Sequence, residues 1–374
     1  MKQLICFLSI LILLATSVCS VSAEENLQKE LLEDTTKIVE QSGVMNFDFS
    51  QTAQDVAEGK WEWSLQSVMA KLADAFFKQL SENISVLVKI VVIAVLAGVI
   101  CNVQGSFNGE GIGDVSFLAC FIIIAGLSVS IFSNIIQTAS ETIDTLMIFM
   151  QSLLPALSGI IAASGGMTGA AVSPALFMAM QFITYAAKNL FFPLILVITA
   201  LSVINNITGR FPITRLIQFG KQALKWGTGI LMTIFVGLLS LQGFSSAFID
   251  GVAGKTVKYA VGNFVPMVGN VLSDSVEAVF SSTLVIKNAV GTAGVIALVS
   301  ICIGPLLKLL AIGVLYRFAA GVTEPATDKR IVTLISELGG NITQIFVILL
   351  MVCVMFIISV AMLLLMTNIP VMVS

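Results

Sequence analysis

Few residues in this chain could do chemistry, and their settings argue against most of it. Gly111-Ile112-Gly113-Asp114 is a GxGD sequence beside an apolar segment, the form taken by half of an intramembrane aspartyl protease site. That chemistry needs two carboxylates close enough to share a proton. The next acids, Glu141 and Asp144, follow no tyrosine and fall between apolar segments, and the preceding apolar segment has no acid. A glycine-rich turn with an ordinary loop aspartate explains Asp114 better. The chain has no histidine, which excludes Ser-His proteolysis and His-bearing zinc motifs. No GxxxxGK[ST] loop occurs, so ATP hydrolysis would have to come from another subunit. The reading is of a protein that is not an enzyme, with no catalytic, cofactor-binding or metal site and no nucleic-acid partner.

Two lysines stand out. Lys89 and Lys308 are the charges that fall well inside apolar segments, and an ionisable group at membrane depth is costly enough to raise a functional hypothesis. Lys89 is one turn from a membrane end and can snorkel. Lys308 is deeper, after Gly304 and Pro305, and a pore-facing or subunit-contact role stands beside plain packing. Residues 155–174 hold Pro155, Gly159, Gly165, Gly166, Gly169 and Pro174. Proline-broken, glycine-rich helices at membrane depth line cavities, and close helix packing through Gly165 and Gly169 accounts for the same residues. Both readings remain open. Arg210, Arg215, Lys221 and Lys225 crowd a stretch, residues 209–225, without an acid. They are either topogenic charges or contacts for a cytoplasmic partner.

The elements that must carry these residues follow from composition. With 57% hydrophobic and 11% charged residues, a soluble fold would leave far too much apolar surface in water. Eight segments are long and apolar enough to suggest an all-α polytopic membrane protein, at residues 86–103, 115–137, 145–164, 171–187, 189–208, 226–247, 290–316 and 342–366. The count is about eight, six to eight, because Pro155 and the short fourth segment allow residues 145–187 to be a re-entrant hairpin. Lys2, the apolar run that follows and Val21-Ser22-Ala23 predict a signal peptide over 1–23. Cys101, Cys120, Cys302 and Cys353 lie in apolar segments and read as packing residues.

Residues 24–85 carry twelve acids against five lysines and form an acidic extracytoplasmic region. Its clearest helical face is Leu65, Val68, Leu72, Phe76 and Leu80. A first membrane helical region (86–247), an amphipathic extracytoplasmic loop (248–289) expected to form helices, and C-terminal membrane helices (290–374) complete the organisation. Signal cleavage puts residue 24 outside, so five crossings place the basic loop 209–225 in the cytoplasm, as the positive-inside rule demands. Three crossings give the same side.

Three stretches carry a resemblance: SLLPALSGIIAASGGMTGAAVSPALF at 152–177, LQGFSSAFIDGVAGKTVKYAVGNFVPMVGNVLSDSVEAV at 241–279, and GVTEPATDKRIVTLISELGGNI at 321–342. In their order and spacing the chain resembles the stage III sporulation protein AE family of endospore-forming bacteria. The resemblance implies a multi-pass protein of the mother-cell membrane around the forespore. It also implies a permease-like, export-platform member of a channel or secretion-like complex. Its partners would be other stage III sporulation A proteins, including a cytoplasmic ATPase-like subunit, and a forespore partner across the intermembrane space. The rival reading is an autonomous secondary transporter for a small solute, binding near Pro155, Gly165, Gly166, Pro174 and Pro193. Substitution Asp114→Asn is expected to leave biological activity unchanged; a loss of activity with normal membrane insertion would revive the protease reading.

Overall fold

The computed structural model describes residues 65–104, 112–163, 167–208, 213–264 and 269–366. Among these there is no strand: the chain runs through helices α1 (Leu65–Gln104), α2 (Ile112–Ala163), α3 (Met167–Ala186), a single π-helical turn (Ala187–Phe191), α4 (Phe192–Thr208), α5 (Thr214–Phe264), α6 (Gly269–Thr323) and α7 (Lys329–Met366). The expected signal peptide, most of the acidic region, and Gly165, Gly166 and Arg210 lie outside the described residues. The expected helix from Leu65 is present as the start of α1.

Eight separate segments do not survive as such. Residues 115–137 and 145–164 belong to one 52-residue helix, α2, and residues 171–187 and 189–208 join through the π turn. Among the described residues, five helices are long and apolar enough to cross a membrane: Leu118–Ile160, Pro174–Ile207, Thr214–Ser240, Asn288–Thr323 and Lys329–Leu364. A sixth is counted if α1, bent by 41° between Leu72–Ser85 and Leu87–Ile100, is one span. In place of a short re-entrant hairpin, residues 145–187 thus belong to two of these long helices where described. The reason is periodic. Across the polar sequence 137–145 the inward positions stay apolar or small, with Ile135, Ala139, Ile143, Leu146 and Leu153 all essentially inaccessible, and so the helix has a continuous face to bury. The 248–289 stretch is also helical where described, as the ends of α5 and α6.

At the centre α6 and α7 pack antiparallel over a longer contact than any other pair, and α7 also touches α2, α3, α4 and α5. Tight approach comes from missing side chains. A Cβ on Gly339 would stand 3.1 Å from Tyr316 Cβ, and one on Gly98 would overlap the Ala326 carbonyl. That carbonyl belongs to the α6–α7 turn. Pro325 interrupts the helix there. Asp328 restarts it by accepting the Arg330 backbone N–H at 2.8 Å, and Thr327 donates to the Ala94 carbonyl at 2.9 Å.

The end of α4 meets the start of α7, where Asn206 Nδ2 lies 3.2 Å from Glu337 Oε2, so the α4–α5 and α6–α7 connections lie at one end of the bundle. Arg215, Lys225, Arg317, Lys329 and Arg330 are exposed near it. By the positive-inside rule this end would face the cytoplasm. With α1 counted as a span, three crossings precede it, an odd number as in the reading of the sequence. The end of α2 at Ala163 and the start of α3 at Met167 then belong at the opposite end, whereas the eight-segment reading makes the connection cytoplasmic. A Gly166→Cys variant should accordingly react with an impermeant thiol reagent added outside intact cells; labelling only after the membrane is opened would restore the two extra crossings.

Candidate functional site

Halfway along the bundle, polar groups meet within stretches that are otherwise apolar. The π turn supplies the first. Pro193 has no N–H to offer the Asn189 carbonyl, and just before it the ladder widens, with the Phe192 N–H bonding to the Ala187 carbonyl. A single π turn inside a helix is frequent at functional sites. Ala187 and Phe191 point inward and are buried, whereas Lys188 faces α2. Its Nζ stands 2.6 Å from each oxygen of Asp144, with side-chain exposures of 29% for the lysine and 54% for the aspartate.

One turn away on α2, Gln137 Nε2 donates to Glu141 Oε1 at 2.8 Å. On the flank of the same turn, Thr138 Oγ1 receives Lys308 Nζ at 3.3 Å, which ties α6 to α2. Two cations and two carboxylates thus gather about the middle of α2, whose apolar span covers Leu118–Ile160. Charges at such depth are costly in hydrocarbon. The pairing of Asp144 with Lys188 lowers that cost, and the remaining exposure of Asp144 and Glu141 leaves them needing water or another polar surface.

A second polar layer lies nearer the basic end and is purely structural in form. Asn341 Nδ2 donates to Thr199 Oγ1 at 3.1 Å, and Thr199 in turn donates to the Ile195 carbonyl at 2.8 Å. Asn206 bonds both the Ser202 carbonyl and Glu337. Buried amides with partners on the facing helix pin α4 against α7.

The residues singled out from the sequence are only partly brought together. Lys308 is half-buried and joins the mid-bundle layer. Lys89 is exposed on α1. Pro155 and Pro174 sit inside their helices on exposed faces rather than around a shared cavity. Gly169 is helical within α3. Arg215 and Lys225 are exposed and Lys221 half-buried on the first turns of α5. Sequence reading missed Lys188, which fell between two predicted segments, as well as Glu141 and Asp144, taken for loop residues. For the two acids the available signal was the helical spacing, four residues from Gln137 to Glu141 and three more to Asp144.

Cys120, Cys302 and Cys353 are free thiols. Among the described residues no group of three or more cysteine and acidic side chains stands close enough to hold a metal ion.

Comparison with known proteins agrees over most of the chain. The sequence model of the family described as Stage III sporulation protein AE matches residues 47–367. The Stage III sporulation protein AE of Bacillus subtilis (strain 168) is 26% identical over 323 residues, covering 86% of this chain and 81% of that protein. No solved structure matches.

If the ion pair couples α2 to the π turn, Asp144→Ala and Lys188→Ala should each lower thermal stability in lipid nanodiscs, and the double variant should lose about 1 kcal/mol less than the sum of the two. Strictly additive losses would show that the two groups do not interact.

Proposed function

From the premise that the chain belongs to the stage III sporulation protein AE family, we propose that it is a membrane subunit of a sporulation-specific channel or secretion-like complex linking mother cell and forespore. Its role there is that of a permease-like export platform, without enzymatic activity of its own. Family membership carries the sporulation part of this reading, and neither matching name is that of an enzyme. The observation that carries the passage part is the layer of ionisable side chains halfway along the bundle, where Asp144, Lys188, Glu141 and Lys308 occur on helices long and apolar enough to cross a membrane.

Partners follow as part of the same proposal. Energy for transport would enter through a cytoplasmic ATPase-like subunit, and the exposed Arg215 and Lys225, with Lys221 and Arg210, are the contacts offered to it. Across the intermembrane space the partner would be a forespore protein, met by the acidic region 24–85 and by residues 248–289. Ring-forming and other stage III sporulation A proteins would complete the assembly in the mother-cell membrane around the forespore.

The autonomous solute transporter is the weaker reading. It keeps one supporting feature, the π turn, since interrupted helices at membrane depth hold transporter substrates. Pro155, Pro174 and Pro193 nevertheless face outward from separate positions rather than converging on a binding cavity.

Deletion of the gene should arrest sporulation after engulfment, with small forespores and loss of late forespore transcription, and the wild-type chain in trans should restore both. Normal spores from the deletion strain would falsify the assignment and return the solute transporter to first place.

A further inference from the structure

The mid-bundle charges are the centre of a longer feature. Ser130, Asn134, Gln137, Glu141, Asp144 and Gln151 recur at the three- and four-residue spacing of one helix face, and each is exposed. Gly126 continues the face at one end and Gly159 at the other, and neither has any atom within 4 Å of where a Cβ would stand. Ile148, 50% exposed, and Pro155, also exposed, are the apolar side chains on that line. At 1.5 Å per residue the polar side chains from Ser130 to Gln151 run about 30 Å, about the thickness of bilayer hydrocarbon, and the two glycines extend the line beyond it.

The outward faces of the other helices have the opposite character. Val88, Val92, Leu96 and Val99 on α1 are about half exposed, and so are Ile230 and Ile234 on α5. Those faces suit acyl chains. The α2 face does not, because two carboxylates and three carboxamides in hydrocarbon would each cost kilocalories. A line whose polar side chains extend about as far as the hydrocarbon is thick requires polar surroundings through most of that depth.

We infer that this face of α2 borders a water-filled passage through the membrane, with Asp144 and Lys188 at its middle and the opposite wall supplied by another protein chain. The inference rests on the channel reading above and deepens it by naming the helix along which a hydrated solute would travel. Both signs of charge are present on the wall, so the passage suits hydrated solutes generally rather than ions of one sign.

The test uses the full chain with its native cysteines replaced by alanine, expressed in sporulating cells lacking the native gene. Single substitutions Ser130→Cys, Gln151→Cys and, at the exposed Ser133 three residues after Ser130 and four before Gln137, Ser133→Cys probe the face, and Val197→Cys and Ile234→Cys probe outward apolar positions on α4 and α5. Membranes are opened by freeze–thaw so that a charged methanethiosulfonate reaches both sides. Because the reacting species is the thiolate, which forms only in contact with water, the face cysteines should react at least about tenfold faster than the two controls. Equal, slow reaction at all five positions would overturn the inference, whether lipid or a dry protein contact covers the face. The near-isosteric serine substitutions guard against misfolding, and the spore yield of each strain reports function separately. Slow labelling in strains that sporulate would remove the passage and leave the sporulation role; fast labelling in a strain whose spores never needed the gene would do the reverse.

Discussion

Where α6 crosses α7, Tyr316 lies against Gly339 and Ile342 packs beside Gly313, and the rest of the bundle is laid on this contact. In lipid there is little hydrophobic drive to bring two apolar helices together, so association depends on close packing and on hydrogen bonds between helices. Small residues on α6 provide the first: Gly291 receives Leu364 from α7 and Gly294 receives Leu153 from α2. Thr327, tied to the Ala94 carbonyl, extends the pair to α1, and Asn341 and Glu337 extend it to α4. The central position of α7 is thus a matter of shape and of a few amides.

The same requirement explains the manner in which the polar residues are spent. Within the spans, hydroxyls such as those of Thr142, Ser300 and Ser359 turn back to carbonyls four residues earlier, which satisfies them without a partner helix. Asp144 and Lys188 cannot be accommodated in that way. They pair across α2 and the π turn instead, so the structural irregularity before Pro193 and the functional candidate lie in one turn of the chain.

Under the proposed export role, the basic end and the mid-bundle layer would divide the work. Exposed guanidinium and ammonium groups on the first turns of α5 would then be reached from the cytoplasm, whereas the charges of α2 fall within a helix long and apolar enough to cross a membrane. Coupling between them would run through α4 and α5, which the Asn205 side chain clamps at their junction by accepting the Ile213 N–H.

Much of this was open to reading before any coordinates. The apolar composition alone requires lipid, because 57% hydrophobic residues cannot be covered by 11% charged ones; helices follow, since hydrocarbon leaves backbone groups no other partner in an unclosed fold. The expected side of the basic loop is the same for five crossings before it or for three, the number when α1 is a span, because parity depends only on an odd count. Three motif stretches were enough for the family. Tertiary structure decided the rest. Residues 137–145 look like a loop when hydropathy is averaged along the chain, yet they form a helix because Ala139, Ile143 and Leu146 have neighbours to pack against. Lys188 looks like the end of one segment until Asp144, 44 positions away, is seen beside it. An average over consecutive residues cannot tell the two sides of a helix apart, and which side is covered is settled only by the helices that come to lie against it.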